Sequence, residues 1–359
     1  MRRCLVDLLA CPECRRSVEV VESGEENAIR ILQGTLQCTN CGRRYPIDKG
    51  VPRLVKVAED VAEVCRRFSF QWLSRWNGQF ESNSRCYGFD DDIYIGWVND
   101  QLQCRRRAKP GEWMLDAGCG SGEKTAVLAR LCPEQQVVGL DLGAESLEKA
   151  VARFGDRPNL DYVQGNIMEP PFKPQQFDYG MSLGVLHHTP NTRQAFAKFR
   201  RLLKQETTLV IWIYPTYWEG PEWRMPYFAR DFLVFRQGYR MPTEVLRLVA
   251  YTIVIGLYPI VEFFFKKCYR RIGRDLPFFD VNKMTRKERF SAEIFYCFDT
   301  LLPRYQFRHT IKEVESWFVK DGLEPVLHAH SFYTASNVPA RTAARTVKAA
   351  RKNALVAAS

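Results

Sequence analysis

The sequence predicts an α/β fold, a mostly parallel sheet covered on both faces, preceded by a small metal-stabilised unit. Three observations carry this. Between residue 112 and about 214, segments of strand and helix character alternate strictly. A glycine-rich run, LDAGCGSG, closes the first of these strands and opens the first helix. Two cysteine pairs, Cys11-Pro12-Glu13-Cys14 and Cys38-Thr39-Asn40-Cys41, stand near the start in a stretch with few large apolar residues.

The chain has 359 residues, 46% of them apolar, enough for one large domain and a smaller companion. Its net charge is +11, which permits attraction to nucleic acid, an anionic membrane or acidic small molecules and selects none of them. The twelve cysteines do not form a disulfide framework. Four fall in the two pairs and the rest are scattered singly, as free thiols in a reducing cytosol. No export signal is visible, so a cytoplasmic protein is expected, with peripheral contact to the inner face of the membrane left open.

Taken in order, residues 1–55 hold the cysteine pairs. VEVVES and IRILQGTLQC read as strands around the polar turn GEEN, and RRYPIDKGVPRLV reads as turn formers. Four thiolates on two knuckles suit a tetrahedral structural zinc, whose binding would supply the folding energy so small a unit lacks. Residues 56–110 read as a helical lid or linker. EDVAEVCRRFSFQWLSRW is an amphipathic helix with Val61, Val64, Phe68 and Leu73 on one side, Asn77 to Asn99 a loop or lid, and VNDQLQCRRRAK a helix ended by Pro110 and Gly111. Residues 111–335 form the main domain. Its strands are WMLDAG, QVVGLDL, LDYVQGN, FDYGMSL and TTLVIWIYP; its helices are GEKTAVLARLC, AESLEKAVARFG and TRQAFAKFRRLLK. An insertion at about 215–308 breaks the rhythm. A further helix and a closing strand follow, then a basic, flexible tail at 336–359.

Gly118, Gly120 and Gly122 sit where backbone must take positive φ and approach a ligand. The acid Asp141 ends the next strand, where a carboxylate can accept both hydroxyls of a ribose. GxGxG alone suits a dinucleotide equally.

Taken together, LDAGCGSG, VVGLDLGAESLEKA, VQGNIMEPPF and FDYGMSLGVLHHTP resemble the motifs of a class I S-adenosylmethionine-dependent methyltransferase of the broad type 11 group. The resemblance runs from 111 to 214 and implies a seven-stranded Rossmann-like sheet whose last strand is antiparallel. It implies a ribose acid at Asp141 followed by Leu142, and an adenine-side segment at Asn166 and Ile167, where Asn166 stands for the family's usual Asp. Asp116 would meet the ammonium of the methyl donor and disfavour a pyrophosphate, which weighs against the nicotinamide reading. The family's Pro-Gly-Gly turn is replaced by Lys204 to Thr207. The stretch through Cys41, Tyr45, Pro46, Ile47, Gly50, Pro52 and Leu54 resembles the Trm112-like zinc ribbons, small partners or scaffolds of methyltransferases, here fused to one.

Methyl transfer from a sulfonium is an in-line displacement that requires positioning and exclusion of water. A base is needed when the accepting atom carries a proton. His188, ahead of His187, is the first candidate, with His309, His328 and His330 further ones. The apolar stretch from Thr243 to Phe265 reads either as two buried helices broken near Gly256 to Pro259 or as a surface for a membrane or a long apolar substrate. These features favour a small-molecule acceptor, lipid-linked or sugar-like, methylated on oxygen. The alternative is an RNA or protein acceptor, gripped by the ribbon and by basic runs at Arg105–Lys109 and Lys266–Arg274. A binding module that kept only the fold is the reading the intact glycine loop opposes.

Overall fold

The computed structural model describes residues 1–55, 59–76, 109–216, 240–256, 285–328 and 332–336. The first unit is a four-stranded antiparallel sheet of β1 (Val18–Ser23), β2 (Gly34–Cys38), β3 (Arg44–Asp48) and β4 (Val51–Pro52). β3 and β4 occupy the stretch expected to be turns. They form a hairpin whose two turn residues, Lys49 and Gly50, both take positive φ. Pro46 is tolerated inside β3 because its carbonyl faces Arg53, so its missing N–H faces the same short partner rather than β2.

The second unit is a seven-stranded sheet. Its strands are β5 (Trp113–Ala117), β6 (Gln136–Asp141), β7 (Leu160–Gln164), β8 (Phe177–Leu183), β9 (Leu203–Trp212), β10 (Pro325–His328) and β11 (Phe332–Ser336), in the order β10-β11-β9-β8-β5-β6-β7. β5 to β9 are parallel, and β11 runs against both its neighbours. The expected single closing strand is thus a hairpin of two. Lys204 to Thr207 make no separate loop. β9 starts directly after the preceding helix, and the register with β8 shifts between Phe177 and Tyr179, which absorbs the extra residues as a bulge.

Helices α2 (Glu123–Leu131), α3 (Ala144–Phe154) and α4 (Thr192–Leu202) connect the parallel strands. Asn191 caps α4 by accepting from Gln194 N–H. α1 (Glu59–Trp76) lies between this domain and a cap made of α5 (243–256) and α6 (Arg286–Leu301). α5 buries Leu246, Ala250 and Val254 against α6 while exposing Leu248 and Ile255, so it is a half-buried cap helix. α7 (Ile311–Lys320) packs Val314, Trp317 and Phe318 into the sheet core. Both basic runs (all but Lys109), the Asn77–Asn99 loop, the helix expected after it, residues 257–284 and the tail lie outside the described residues.

The two units share one core. Leu5, Leu9, Leu36 and Ile47 of the first pack in the same cluster as Leu140, Val163 and Phe172 of the second. β4 continues the sheet edge: Arg53 bridges in parallel to Gln164, and Leu54 N–H donates to the Gln164 carbonyl at 2.9 Å. Asp161, wholly buried in β7, accepts from Arg2 Nε at 2.7 Å and Arg30 Nη1 at 2.9 Å. Arg2 also donates to Gln136 and to the Pro158 carbonyl, and Arg30 to the carbonyls of Leu160 and Gly155. A charged triad this deep is tolerable only because nearly every donor finds an acceptor.

Candidate methyl-donor crevice and metal centre

The crevice lies at the carboxyl ends of β5 and β6, beside the β5–β8 boundary where the strand order reverses. Asp141 ends β6. Its Oδ2 accepts from Gly120 N–H and its Oδ1 from Gly143 N–H, both at 2.8 Å. Burial pushes its carboxyl above the ordinary range, and these N–H groups oppose the shift. Gly118, Gly120 and Gly122 all take positive φ. A side chain at Gly118 would strike Val185, and one at Gly122 would strike Ala150 and Tyr162. Here glycine is required by close packing as well as by backbone conformation.

Asp116 is buried beneath the loop and accepts from Thr125 Oγ1 at 2.7 Å. Burial raises its carboxyl to about 6, against that hydrogen bond. Leu142 presents its carbonyl to Gln164 Nε2 at 2.9 Å and to Cys65 Sγ at 2.7 Å. Asn166 Oδ1 accepts from Met168 N–H at 2.9 Å, which fixes the turn and leaves one lone pair. Ile167 is buried, only 7% exposed, in the shared core. That turn rests on the first unit: Ala10 N–H donates to the Pro171 carbonyl and Arg15 Nη1 to the Pro170 carbonyl.

The sequence pointed to a helical lid or linker over 56–110 but not to the side chains that cover the crevice. α1 lies on it, with the Trp72 ring where a Gly120 side chain would be and Ser69 beside Gly143. The Phe68 ring is 5.7 Å from that of His188. The 3.6-residue period marked one apolar side of α1 but could not say which neighbour that side meets.

His187 and His188 form a 3-10 turn after β8. His188 Nδ1 lies 2.9 Å from the Tyr305 carbonyl, so Nδ1 carries the proton and Nε2 is an acceptor in the neutral ring. His187 is fully buried between His188 and Tyr214, and neither ring nitrogen has a partner among the described residues. Burial holds it well below the ordinary histidine range, as the neutral form. His309 is engaged by Glu313 at 2.9 Å, His328 ends β10, and His330 lies outside the described residues.

In the first unit, the sulfurs of Cys11, Cys14, Cys38 and Cys41 lie within 4.8 Å of one another. Cys14 and Cys38 approach to 3.3 Å, and Cys11 and Cys41 to 3.7 Å. Zinc–sulfur bonds of about 2.3 Å in a tetrahedron put sulfurs roughly 3.8 Å apart, so the set fits one zinc ion. Tyr45 OH, 3.0 Å from Cys11 Sγ, is placed to donate to a bound thiolate.

Comparison with known proteins agrees with this geometry. Residues 115–211 match the family described as a methyltransferase domain, and residues 2–50 the family of Trm112p-like proteins. The chain is a class I methyltransferase domain fused behind a Trm112-like domain. The fold is that of S-adenosylmethionine-binding methyltransferases, and the four cysteines are positioned to hold a structural zinc ion, as in Trm112-like domains. A demethylmenaquinone methyltransferase of Lysinibacillus sphaericus (strain C3-41) is 32% identical over 114 residues, covering 31% of this chain and 48% of that protein. A 2-phytyl-1,4-naphtoquinone methyltransferase of Nostoc sp. is 37% identical over 118 residues, covering 28% and 52%. The chain thus spans about half the length of these relatives. Among solved structures, a complex containing the Haloferax volcanii Trm112 methyltransferase activator matches at 20% identity and a TM-score of 0.32, over 40% of this chain and 58% of that one. A TehB-like SAM-dependent methyltransferase from Corynebacterium glutamicum matches at 25% and 0.30, over 40% and 71%. No helix among the described residues is long and apolar enough to cross a membrane.

Proposed function

We infer that this methyltransferase domain is an active enzyme that moves a methyl group from S-adenosylmethionine to an acceptor bound beside His188. The observation that carries the reading is the joining of the glycine loop to Asp141 through Gly120 N–H, at the tip of β6. The ribose hydroxyls would donate to the two Asp141 oxygens. The donor's ammonium would meet Asp116, and Leu142, Asn166 and Ile167 would flank the adenine. The cofactor supplies the electrophilic methyl and its own leaving group. What remains for the protein is to orient the acceptor, keep water out and take a proton where the acceptor has one. His188 is assigned that last role, because its Nδ1–H is committed to the Tyr305 carbonyl and Nε2 is basic. His187, sealed and neutral, shapes the pocket.

Two observations bear on the acceptor. The fused Trm112-like domain supports a macromolecule, RNA or protein. The second reading, a small apolar acceptor, is favoured by the quinone methyltransferases among the relatives.

Asp141→Ala should weaken binding of S-adenosylhomocysteine by about 10- to 100-fold in calorimetry, through loss of charge-assisted bonds. Equal affinity would remove Asp141 from the site. Incubation of the protein with methyl-labelled donor and separated RNA, protein and lipid extracts assigns the acceptor: label in the lipid fraction alone overturns the macromolecular reading.

A further inference from the structure

One arginine of the first unit reaches both elements beside Asp141. Arg53 follows β4, and its side chain is 16% exposed. Its Nη2 donates to Asp48 at 2.7 Å and to Glu148 on α3 at 2.5 Å, and its Nη1 donates to Gln164 Oε1 at 3.2 Å. Gln164 ends β7 as the register partner of Asp141. Its Nε2 donates to the Leu142 carbonyl at 2.9 Å. The N–H of that same peptide unit, on Gly143, donates to Asp141 Oδ1 at 2.8 Å. We propose that Arg53 is a positioning residue of the methyl-donor site, acting on the Asp141 carboxylate through the Gln164 amide and the Leu142–Gly143 peptide.

Each link transmits orientation. A guanidinium only donates and a carbonyl only accepts, so the Gln164 amide fits between them one way round. Reversed, it would set NH₂ against the guanidinium and oxygen against the carbonyl oxygen. Gln164 is 7% exposed, so water competes little for either side. The peptide is planar, and holding its carbonyl fixes where its N–H points. The same carbonyl accepts from Cys65 Sγ of α1 at 2.7 Å, so the peptide is gripped from the ribbon and from α1 at once.

An anchor between the ribbon and α3 needs only the ion pairs, and Glu148 already takes a second cation, Lys49, at 2.6 Å. The contact of Arg53 with Gln164 serves no such purpose and leads instead to Asp141. Asp141 Oδ2 is held separately by Gly120 N–H, so loss of the relay loosens the carboxylate without freeing it. A carboxylate already aimed costs less to order when a ligand binds. Breaking one hydrogen-bonded link should therefore weaken donor binding about three- to tenfold. The role in donor binding rests on the reading of the crevice as the methyl-donor site, whereas the relay itself does not.

The test is calorimetry of the full, zinc-loaded chain with S-adenosylhomocysteine, with denaturant unfolding and amide hydrogen exchange on the same variants. Arg53→Met should bind about three- to tenfold more weakly. Arg53→Lys should not restore affinity, because one ammonium can pair with Glu148 but cannot supply the fork that also meets Gln164. Gln164→Glu separates the two roles: it keeps an acceptor for Arg53 and removes the N–H that holds Leu142. This variant should unfold at or above the wild-type denaturant midpoint and yet bind about three- to tenfold more weakly. Without ligand, the Gly143 amide should exchange faster in Arg53→Met and Gln164→Glu than in the wild type. Full rescue by Arg53→Lys, or wild-type affinity in Gln164→Glu, overturns the positioning role and leaves Arg53 an ion-pair anchor. Should Arg53→Met fail to fold, Gln164→Glu decides alone. A wild type that does not bind S-adenosylhomocysteine, with Gly143 exchange still faster in both variants, would sink the methyl-donor reading and leave the relay standing.

Discussion

The two walls of the crevice are built differently. On the adenine side, the zinc ribbon is joined to β7 by a strand bridge, a shared apolar core and the buried Asp161 cluster. On the acceptor side, α1 lies across the glycine loop through side-chain contacts and a thiol hydrogen bond, with the cap behind it. The first wall is held by fully desolvated groups whose removal leaves unpaired charge. The second is a separate layer, and layers with fewer buried contacts open at lower free energy. Under the proposed function, the ribbon would shape the cofactor site and α1 would control access to it.

The largest effect comes from breaking the first wall at its metal. Structural zinc in small domains is worth about 10–16 kcal/mol of apparent binding energy. Chelation, or Cys38→Ser, should unfold the ribbon. Because the Asn166 turn leans on Ala10 and Arg15, cofactor affinity should fall with it. Circular dichroism and S-adenosylhomocysteine calorimetry on the same sample check this. A zinc-free protein with unchanged cofactor affinity would show that the ribbon is a passenger. Next in size is Asp161→Ala, which strands Arg2 and Arg30 in the core and should cost about 3–5 kcal/mol in denaturant unfolding. A loss below about 1 kcal/mol would mean that water reaches those guanidinium groups.

The first wall was half legible in the sequence and the second hardly at all. Cysteine spacing announced the metal because four thiolates have few other uses in so short a segment. The strand–helix rhythm and the Asp141 tip were readable because period and position are local properties. β3 and β4 were not, since Pro46 and Pro52 read as breakers and are tolerated only beside a two-residue partner strand. The Arg2–Asp161–Arg30 cluster joins residues far apart in the chain, and its one local sign was an acid inside the apolar strand LDYVQ. The seat of Trp72 on Gly120 and the position of Tyr305 over His188 depend on how α1 and the chain after α6 fold back, which no periodicity encodes.

A smaller effect separates the crevice from both walls. Asp116 is raised from 3.8 to about 6 by burial, and a cationic ammonium binds its ionised form. As pH falls below about 6, binding must first expel a proton, so donor affinity should drop by up to about tenfold per unit until near pH 4. For folding the sign is opposite. The protonated form favours the native state, so that stability contribution is complete below pH 3.8 and is lost as pH rises through about 6. Calorimetry between pH 5 and 8 on the wild type and Asp116→Asn checks it: a pH slope that survives in the variant assigns the proton elsewhere.

The smallest equilibrium effect is expected at the second wall, in Trp72→Ala. The indole ring lies against the glycine loop at the position a Gly120 side chain would take, so it must shift whenever a ligand enters beneath α1. Removing it takes away contacts of the closed helix while leaving Asp141, Asp116 and the zinc ribbon untouched. Affinity for S-adenosylhomocysteine should therefore change by no more than about 1 kcal/mol, roughly fivefold, while association and dissociation both quicken, because α1 opens more readily. Stopped-flow displacement measures both rates. A variant that loses much affinity without faster exchange would make Trp72 a wall of the binding site itself. One that unfolds like Asp161→Ala would erase the distinction between a welded wall and a moving one.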